Sequence, residues 1–191
     1  MKNKGNLFVI SGPSGVGKGT VCRRLLEDNK NVSVSVSATT RKPRTEDTEG
    51  VTYYFKTEAE FKQMIDEGKF LEWAVYNGNY YGTPLEAIEE RLALGQDIIL
   101  EIEAQGALKV MEKKPDAVSI FIAPPDTEAL YERLRGRGTE SQEEIERRVK
   151  ASEWELAQKD KYKYVVVNDD LDTAVAAIEN IMKNERETIK L

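Results

Sequence analysis

Residues 7–20 read LFVISGPSGVGKGT, and this stretch decides the fold. The apolar run at 7–10 predicts a buried strand, and the glycine-rich turn after it leads into a helix that starts near Lys18. The turn almost matches the phosphate-binding motif G-x-x-x-x-G-K-[ST]. However, Gly19 stands where the motif has a hydroxyl for magnesium, and Thr20 comes one step late. A glycine-rich turn without a ligand is the alternative, but the full spacing after a strand favours phosphate.

The turn suits an anion because its glycines let successive backbone N–H groups and a helix N-terminus converge on one point. Lys18 adds a positive charge there. The predicted phosphate-binding residues are Gly12, Pro13, Ser14, Gly15, Val16, Gly17, Lys18, Gly19 and Thr20.

The hydroxyl missing at position 19 bears on the metal. Thr20 lies about 100° further round the helix and cannot simply replace it. Magnesium keeps several waters and is bound largely through substrate phosphates, so we expect no direct protein ligand. The strand predicted at 97–102 carries Glu101 near its end, where such proteins place a metal-side acid, although a solvated strand end is equally consistent. Thr20 and Glu101 are therefore predicted at most in the outer shell of Mg²⁺.

Composition narrows the class of protein. The 191 residues are 32% charged and 40% hydrophobic, which indicates one globular domain. The net charge of -6 argues against a nucleic-acid partner. With a single cysteine, Cys22, and no apolar run long enough for a signal peptide or a membrane span, we expect a cytoplasmic location.

Apolar runs alternate with helical patterns along the chain, which predicts an α/β fold whose parallel sheet lies between helices as a three-layer core. The predicted strands are residues 7–10, 32–36, 97–102, 118–123 and 164–167. Capping-box patterns, each with Glu three residues later, predict helix starts at Thr57, Thr83 and Ser141.

Two interruptions of this alternation predict additions to the core. Residues 37–83 hold short aromatic-rich pieces around one helix, which predicts an inserted small mixed α/β lobe. Arg137 lies between two glycines and two predicted helices, so that it could swing over a bound phosphate from a helical lid at about 126–158. The chain would then be one domain, with its core in residues 1–36 and 84–191.

A second anion site is predicted around Arg41 and Arg44, which lie three residues apart around a proline. They belong to residues 37–44, which follow a predicted strand and which we place in a loop. Two arginine donor forks suit a terminal phosphate, and Tyr53 and Tyr81 offer phenolic donors nearby. A solvated basic loop is the alternative.

The absence of histidine bears on what accepts the phosphate. An alcohol acceptor usually needs a nearby base, of which histidine is the commonest. A phosphate monoester, with its second pKa at about 6, is already an anionic nucleophile at pH 7. A phosphate acceptor is therefore favoured, with arginines offsetting the repulsion between two polyanions.

Seven stretches resemble guanylate kinase, and together they span nearly the whole chain. They are GPSGVGKGT (12–20), SVSATTRKPR (35–44), FLEWA (70–74), GNYYGT (78–83), QG (105–106), GRGTE (136–140) and VNDDL (167–171). Glycine after the loop lysine is usual among bacterial guanylate kinases, so Gly19 does not count against phosphate binding. The resemblance implies transfer of the γ-phosphate of ATP to GMP in purine nucleotide metabolism, with Mg²⁺ accompanying ATP.

The resemblance also implies roles for individual residues. Guanine would be contacted by Ser37, Glu72, Thr83 and Glu103. The GMP phosphate would be held by Arg41, Arg44, Tyr53 and Tyr81. The catalytic residues would be Lys18, Arg41, Arg137 and Arg148. Asn168 would lie near the adenine of ATP. Family members often carry Asp where Glu101 and Glu103 stand here.

Glu72 has independent physical support as the specificity residue. Guanine N1–H and N2–H₂ are adjacent donors that one carboxylate can accept, whereas adenine would set its N1 lone pair against the same oxygens. A kinase for another nucleoside monophosphate and a non-catalytic scaffold of the same fold are the alternatives. Lys18, Arg41 and Arg137 argue against the scaffold, and no obligate protein partner is implied.

Overall fold

Strand β1 (Leu7–Ser11) lies at the centre of a five-stranded parallel sheet in the computed structural model, which describes residues 4–76, 78–135 and 142–188. The other strands of this sheet are β2 (Val32–Val34), β7 (Asp97–Glu101), β8 (Val118–Ala123) and β9 (Tyr164–Val167). They lie in the order β2-β7-β1-β8-β9 and are paired in parallel throughout. All five predicted strands are confirmed, although β2 ends two residues and β7 one residue earlier than predicted.

Helices cover both faces of this sheet. They are α1 (Lys18–Asp28), α3 (Leu85–Ala93), α4 (Ala104–Lys113), α5 (Thr127–Arg135), α6 (Gln142–Leu156) and α7 (Leu171–Thr188), whereas α2 (Glu58–Asp66) packs on a second sheet. Phe8 and Ile10 belong to the apolar cluster that includes α1 and α7, whereas Leu7 and Val9 belong to the cluster that includes α3 and α4. Successive side chains of a strand point to opposite faces, so β1 is buried on both. The predicted three-layer α/β core is confirmed.

A second, mixed sheet lies between β2 and α3 in the chain. Its strands are β3 (Ser37–Thr39), β4 (Tyr53–Phe55), β5 (Phe70–Tyr76) and β6 (Asn79–Pro84). They lie in the order β4-β3-β6-β5, with β3 parallel to β4 and the other pairs antiparallel. Phe61 of α2 stacks on Phe70 at 4.4 Å between ring centroids. The prediction that the whole of 37–44 is a loop is wrong at its start, because residues 37–39 pair with β4 and β6.

The predicted helix starts had different outcomes. Thr57 caps α2 in a capping box: its hydroxyl accepts from the Glu60 N–H at 3.2 Å, and Glu60 accepts from the Thr57 N–H at 2.7 Å. The predicted cap at Thr83 is wrong, because Thr83 belongs to β6 and its side chain bonds elsewhere, which leaves Pro84 at the N-cap of α3 without a side-chain cap. Ser141 lies outside the described residues.

In the chain, α5 precedes and α6 follows residues 136–141, which lie outside the described residues and include the predicted lid tip at 136–138. None of the helices in the described ranges is both long and apolar enough to cross a membrane. The division into a core of 1–36 and 84–191 and a lobe of 37–83 stays a prediction.

Candidate active site

The glycine-rich loop joins β1 to α1 as predicted, with Gly17 at the N-cap of α1. Gly17 has φ of 97°, and a Cβ there would lie 2.7 Å from the amide nitrogen of Asn168. A Cβ on Gly12 would lie 2.2 Å from the carbonyl oxygen of Ile122 in β8. Both positions require glycine because a side chain would collide with the neighbouring strands and their loops.

Lys18 folds back onto this loop. Its ammonium group donates to the carbonyl oxygens of Gly12 at 2.6 Å and Pro13 at 3.1 Å. Burial lowers the pKa of Lys18, and nearby carboxylates oppose that shift. A phosphate bound in the loop would be an alternative partner for the same ammonium group.

Three carboxylates surround Lys18. Glu101 comes from the end of β7, Glu103 is the N-cap residue of α4, and Glu155 is in the last turn of α6. Burial raises the pKa of both Glu101 and Glu155, and Lys18 acts in the opposite direction on each. A Cβ on Gly19 would lie 3.5 Å from Oε1 of Glu101, so this acid faces the first turn of α1.

Glu155 was missed by the sequence analysis. Its carboxylate lies beside the backbone N–H groups of Ser14 in the glycine-rich loop and Ala104 at the start of α4. Nothing in the local sequence of α6 distinguishes this acid from its charged neighbours, because its partners come from two distant parts of the chain.

Asn168, predicted near adenine, lies under the loop. It is 6% exposed, and its side-chain amide donates to the carbonyl oxygen of Val16 at 2.8 Å. Arg133 of α5 also reaches this carbonyl oxygen, at 3.5 Å, and the carbonyl oxygen of Asp169 at the same distance. The segment after β9 thus supports the loop, and a direct contact between Asn168 and adenine stays a prediction.

A cavity of about 330 Å³ opens between the second sheet and the carboxyl end of β7. Five of the residues predicted to bind GMP line it, namely Ser37, Tyr53, Glu72, Tyr81 and Glu103. Glu101, Gln105, Gly106 and Lys109 line it as well. Lys109 is the one cation among the described lining residues, facing three carboxylates. The structure therefore brings most of the predicted acceptor site together beside the glycine-rich loop.

Glu72 is the buried acid of this cavity, with 8% of the residue exposed. It lies opposite Thr83 where β5 pairs with β6, and the Thr83 hydroxyl donates to its Oε1 at 2.6 Å. Burial raises the pKa of Glu72, while the hydrogen bond from Thr83 and the charges of Lys109 and Lys113 lower it. Thr83 is only 1% exposed, so its hydroxyl holds the Glu72 carboxylate from the buried side of the cavity wall.

Gly106 explains the QG motif of the sequence. A Cβ at this position would lie 2.5 Å from Cδ1 of Ile102 and 3.5 Å from Oε2 of Glu72. A larger residue would displace Ile102, which lines the cavity, and crowd the carboxylate. Lys109 lies four residues after Gln105 on the same helix, so the two side chains share one face. This spacing could have identified Lys109 as a residue of the site.

The arginines predicted to bind phosphate differ in their surroundings and exposure. Arg41 lies against the rings of Tyr53 and Phe55, with its guanidinium carbon 5.3 and 5.8 Å from their centroids. Arg44 is exposed in the same segment, and Arg148 is half-buried in α6. Arg137 lies outside the described residues.

Comparison with known proteins gives a consistent result. The family model described as guanylate kinase matches residues 4–185. Over 186 residues the chain is 53% identical to the guanylate kinase of Caldanaerobacter subterraneus, covering 97% of this chain and 90% of that protein. Over 184 residues it is 47% identical to the guanylate kinase of Prochlorococcus marinus, covering 96% of this chain and 100% of that protein.

A solved structure shares the fold. The crystal structure of guanylate kinase from Anaplasma phagocytophilum superposes with a TM-score of 0.74 at 36% identity, covering 96% of this chain and 87% of that one. Because the matches extend over nearly all of this chain and of its relatives, the chain belongs to the guanylate kinase family.

Proposed function

We propose that the cavity beside Glu72 binds GMP, that residues 12–20 bind ATP, and that the γ-phosphate of ATP is transferred to GMP, giving ADP and GDP. The observation that carries this proposal is the buried Glu72 carboxylate, oriented by Thr83 in a cavity next to a phosphate loop. The second sheet with α2 then serves as the GMP-binding lobe.

Guanine recognition follows from the chemistry of the cavity. An ionised Glu72 can accept from both N1–H and N2–H₂ of guanine, whereas adenine offers a lone pair at N1. Ser37 and Glu103 line the same space as further polar partners. Lys109 suits guanine too, because a cation favours the O6 acceptor over the amino group of adenine.

The GMP phosphate is assigned to Arg41, Arg44, Tyr53 and Tyr81. The rings of Tyr53 and Tyr81 meet edge to face at 6.1 Å, so both phenols come from one aromatic contact at the wall of the cavity. The GMP phosphate attacks without a general base because it is already anionic.

Catalysis is then positioning and neutralisation of charge. Lys18 exchanges the carbonyl oxygens of Gly12 and Pro13 for phosphate oxygens when ATP binds. Arg41 neutralises charge from the acceptor side. The roles of Arg137 and Arg148 around the transferred group stay predictions, and Asn168 supports the loop that holds ATP.

Magnesium is proposed to arrive with ATP. Oxygen ligands suit this ion, and Glu101 is a carboxylate that faces the first turn of α1 beside Gly19. Thr20 is exposed one residue further on. Thr20 and Glu101 would lie at most in the outer shell of the ion. When bound, the ion would neutralise phosphate charge. A cytoplasmic location without nucleic-acid, membrane or obligate protein partners completes the proposal.

The test is an assay of ADP formation with GMP, IMP, AMP and UMP as acceptors. We expect GMP to be preferred over AMP in kcat/KM by about a thousandfold or more, because a buried carboxylate matched to guanine donors rejects a base without them. Lys18→Met should abolish transfer, whereas Lys30→Met, which removes an exposed lysine outside both sites, should not. Comparable rates with AMP or UMP would identify another nucleotide kinase. No ADP with any acceptor would favour the scaffold.

A further inference from the structure

The orientation of the Arg41 side chain is fixed by contacts with its neighbours in the protein. Its Nη1 donates to the carbonyl oxygen of Lys42 at 3.0 Å and lies 2.9 Å from Oδ2 of Asp47. Its Nη2 donates to Oδ1 of Asp47 at 3.2 Å. The Asp47 carboxylate therefore meets the guanidinium end-on, through both terminal nitrogens.

This arrangement leaves a defined edge of Arg41 available. A guanidinium has five N–H groups in one plane, and three of them are used by Asp47 and Lys42. The remaining two, on Nε and Nη2, point from the same edge and have no hydrogen-bond partner within residues 4–76, 78–135 and 142–188. Two parallel N–H groups match two oxygens of a phosphate.

The rings of Tyr53 and Phe55 restrict the guanidinium further, and the Arg41 side chain is 15% exposed. Tyr53 also lines the proposed GMP cavity, so Arg41 lies beside its wall. These contacts hold the guanidinium in one place beside that wall, so that it does not move freely on a surface loop.

Asp47 is itself held in place. Its Oδ2 accepts from the backbone N–H of Arg44 at 2.6 Å, its own N–H donates to the Arg44 carbonyl oxygen at 3.1 Å, and its side chain is 7% exposed. The hydrogen bonds from Arg41 and Arg44 lower the pKa of Asp47, which keeps the carboxylate ionised at neutral pH. One carboxylate thus ties the side chain of Arg41 to the backbone of Arg44.

We propose that Asp47 is a positioning residue for GMP, because it directs the Nε and Nη2 edge of Arg41 towards the nucleotide phosphate and fixes Arg44 beside it. This inference rests on the proposed GMP site, in which both arginines hold that phosphate. Asp47 contacts the arginines and not the nucleotide. Its effect is therefore on GMP affinity, through the entropy of ordering Arg41.

The opposite role for Asp47 is competition, in which its carboxylate stands in for the phosphate and leaves when GMP binds. The two roles predict opposite signs. Removing a positioning carboxylate weakens GMP binding, whereas removing a competitor strengthens it. The affinity for guanosine, which lacks the phosphate, should be unchanged in both cases.

The test compares Asp47→Asn, Asp47→Glu and the control Glu46→Gln, which neutralises an exposed acid next in the chain. We expect Asp47→Asn to raise KM for GMP about tenfold or more, with KM for ATP and guanosine affinity nearly unchanged. Asp47→Glu should recover part of the loss, and Glu46→Gln should behave as wild type. An unchanged or lower KM for GMP in Asp47→Asn overturns the inference.

Two further measurements keep the result interpretable. If Asp47→Asn fails to fold, Asp47→Glu decides, because a longer carboxylate must still shift KM for GMP relative to Glu46→Gln if orientation matters. Arg41→Met separates this inference from the site assignment. If Arg41→Met leaves KM for GMP unchanged, the proposed phosphate site is wrong. If it raises KM while the Asp47 variants do not, only the role of Asp47 is wrong.

Discussion

The hydroxyl of Thr83 donates a 2.6 Å hydrogen bond to Oε1 of Glu72, and the two residues lie opposite each other across β5 and β6. Strand pairing alone brings them together, and both are buried. Because the carboxylate accepts only one hydrogen bond from this hydroxyl, its other lone pairs can accept from donors that enter the cavity.

Thr83→Val removes this donor with little change in shape. We expect kcat/KM for GMP to fall by about 1–2 kcal/mol in transition-state binding, since a buried carboxylate oxygen loses its partner. KM for ATP should not change. Thr83→Ser is the matched control because it keeps the hydroxyl. Equal kcat/KM values for the Val and Ser variants would contradict the orienting role.

Glu72→Gln replaces half of the carboxylate with a donor that opposes guanine N1–H or N2–H₂. The expected loss for GMP is about 1–3 kcal/mol, or 5- to 150-fold in kcat/KM, with a smaller change for AMP. Folding raises the pKa of Glu72, so its ionised form destabilises the native state at neutral pH. We therefore expect a higher Tm for Glu72→Gln together with lower activity. Unchanged discrimination between GMP and AMP would be incompatible with the assignment.

The pH profile of kcat/KM for GMP should report this carboxyl group. Burial raises the pKa of Glu72, so its proton is taken up at a higher pH than in an ordinary glutamate, and activity should fall as pH decreases through that value. Lys109→Met removes an opposing positive charge and should move the fall to still higher pH. Protonation of the GMP phosphate is common to all variants, so Glu72→Gln provides the baseline. Parallel profiles for wild type and Glu72→Gln would exclude this origin.

Asn168 should contribute both to ATP binding and to the free energy of unfolding. Asn168→Asp sets a carboxylate against the carbonyl oxygen of Val16, which now accepts at 2.8 Å. We expect the free energy of unfolding to fall by about 1–3 kcal/mol and KM for ATP to rise more than KM for GMP. Asp169→Asn, an exposed change next in the chain, is the control. Lost stability with an unchanged KM for ATP would limit Asn168 to a structural role.

Asp97 should stabilise the fold without affecting catalysis. It is 2% exposed, accepts from the Asn6 N–H at 2.8 Å and pairs with Nε of Arg186 from α7. Asp97→Ala should lower the free energy of unfolding by about 2–4 kcal/mol, less than for a fully buried pair because Arg186 is partly exposed. Glu89→Gln, which breaks an exposed pair with Lys114, should change it by less than about 1 kcal/mol. Chemical denaturation measures both.

Much of the site could be predicted because its requirements are local. The loop between β1 and α1 needs glycines at fixed spacing, and Gly17 with its positive φ meets that need within a few residues. The capping box at Thr57 is equally local. The same pattern at Thr83 predicted a helix cap that the structure does not have. The Thr83 hydroxyl donates to the buried Glu72 carboxylate on the neighbouring strand and does not bond to the helix end.

Other site residues had no local signal that the sequence analysis used. Asp47 lies within the arginine segment, yet only its bonds to Arg41 and Arg44 distinguish it from Glu46 beside it. Glu155 reaches the phosphate loop from a helix that follows more than a hundred residues later. Lys109 lines the cavity because α4 packs beside the second sheet.

The sequence by itself determined the strands of the core, the glycine-rich turn between β1 and α1, and the family resemblance, since these depend on hydrophobic periodicity and on short motifs. Only the tertiary structure decided which side chains meet. The cavity is assembled from β3, β4, β5, β6, β7 and α4, and burial there raises the pKa of Glu72. Hydrogen bonds and desolvation depend on distances of a few ångströms between residues far apart in the chain, and folding alone creates those distances.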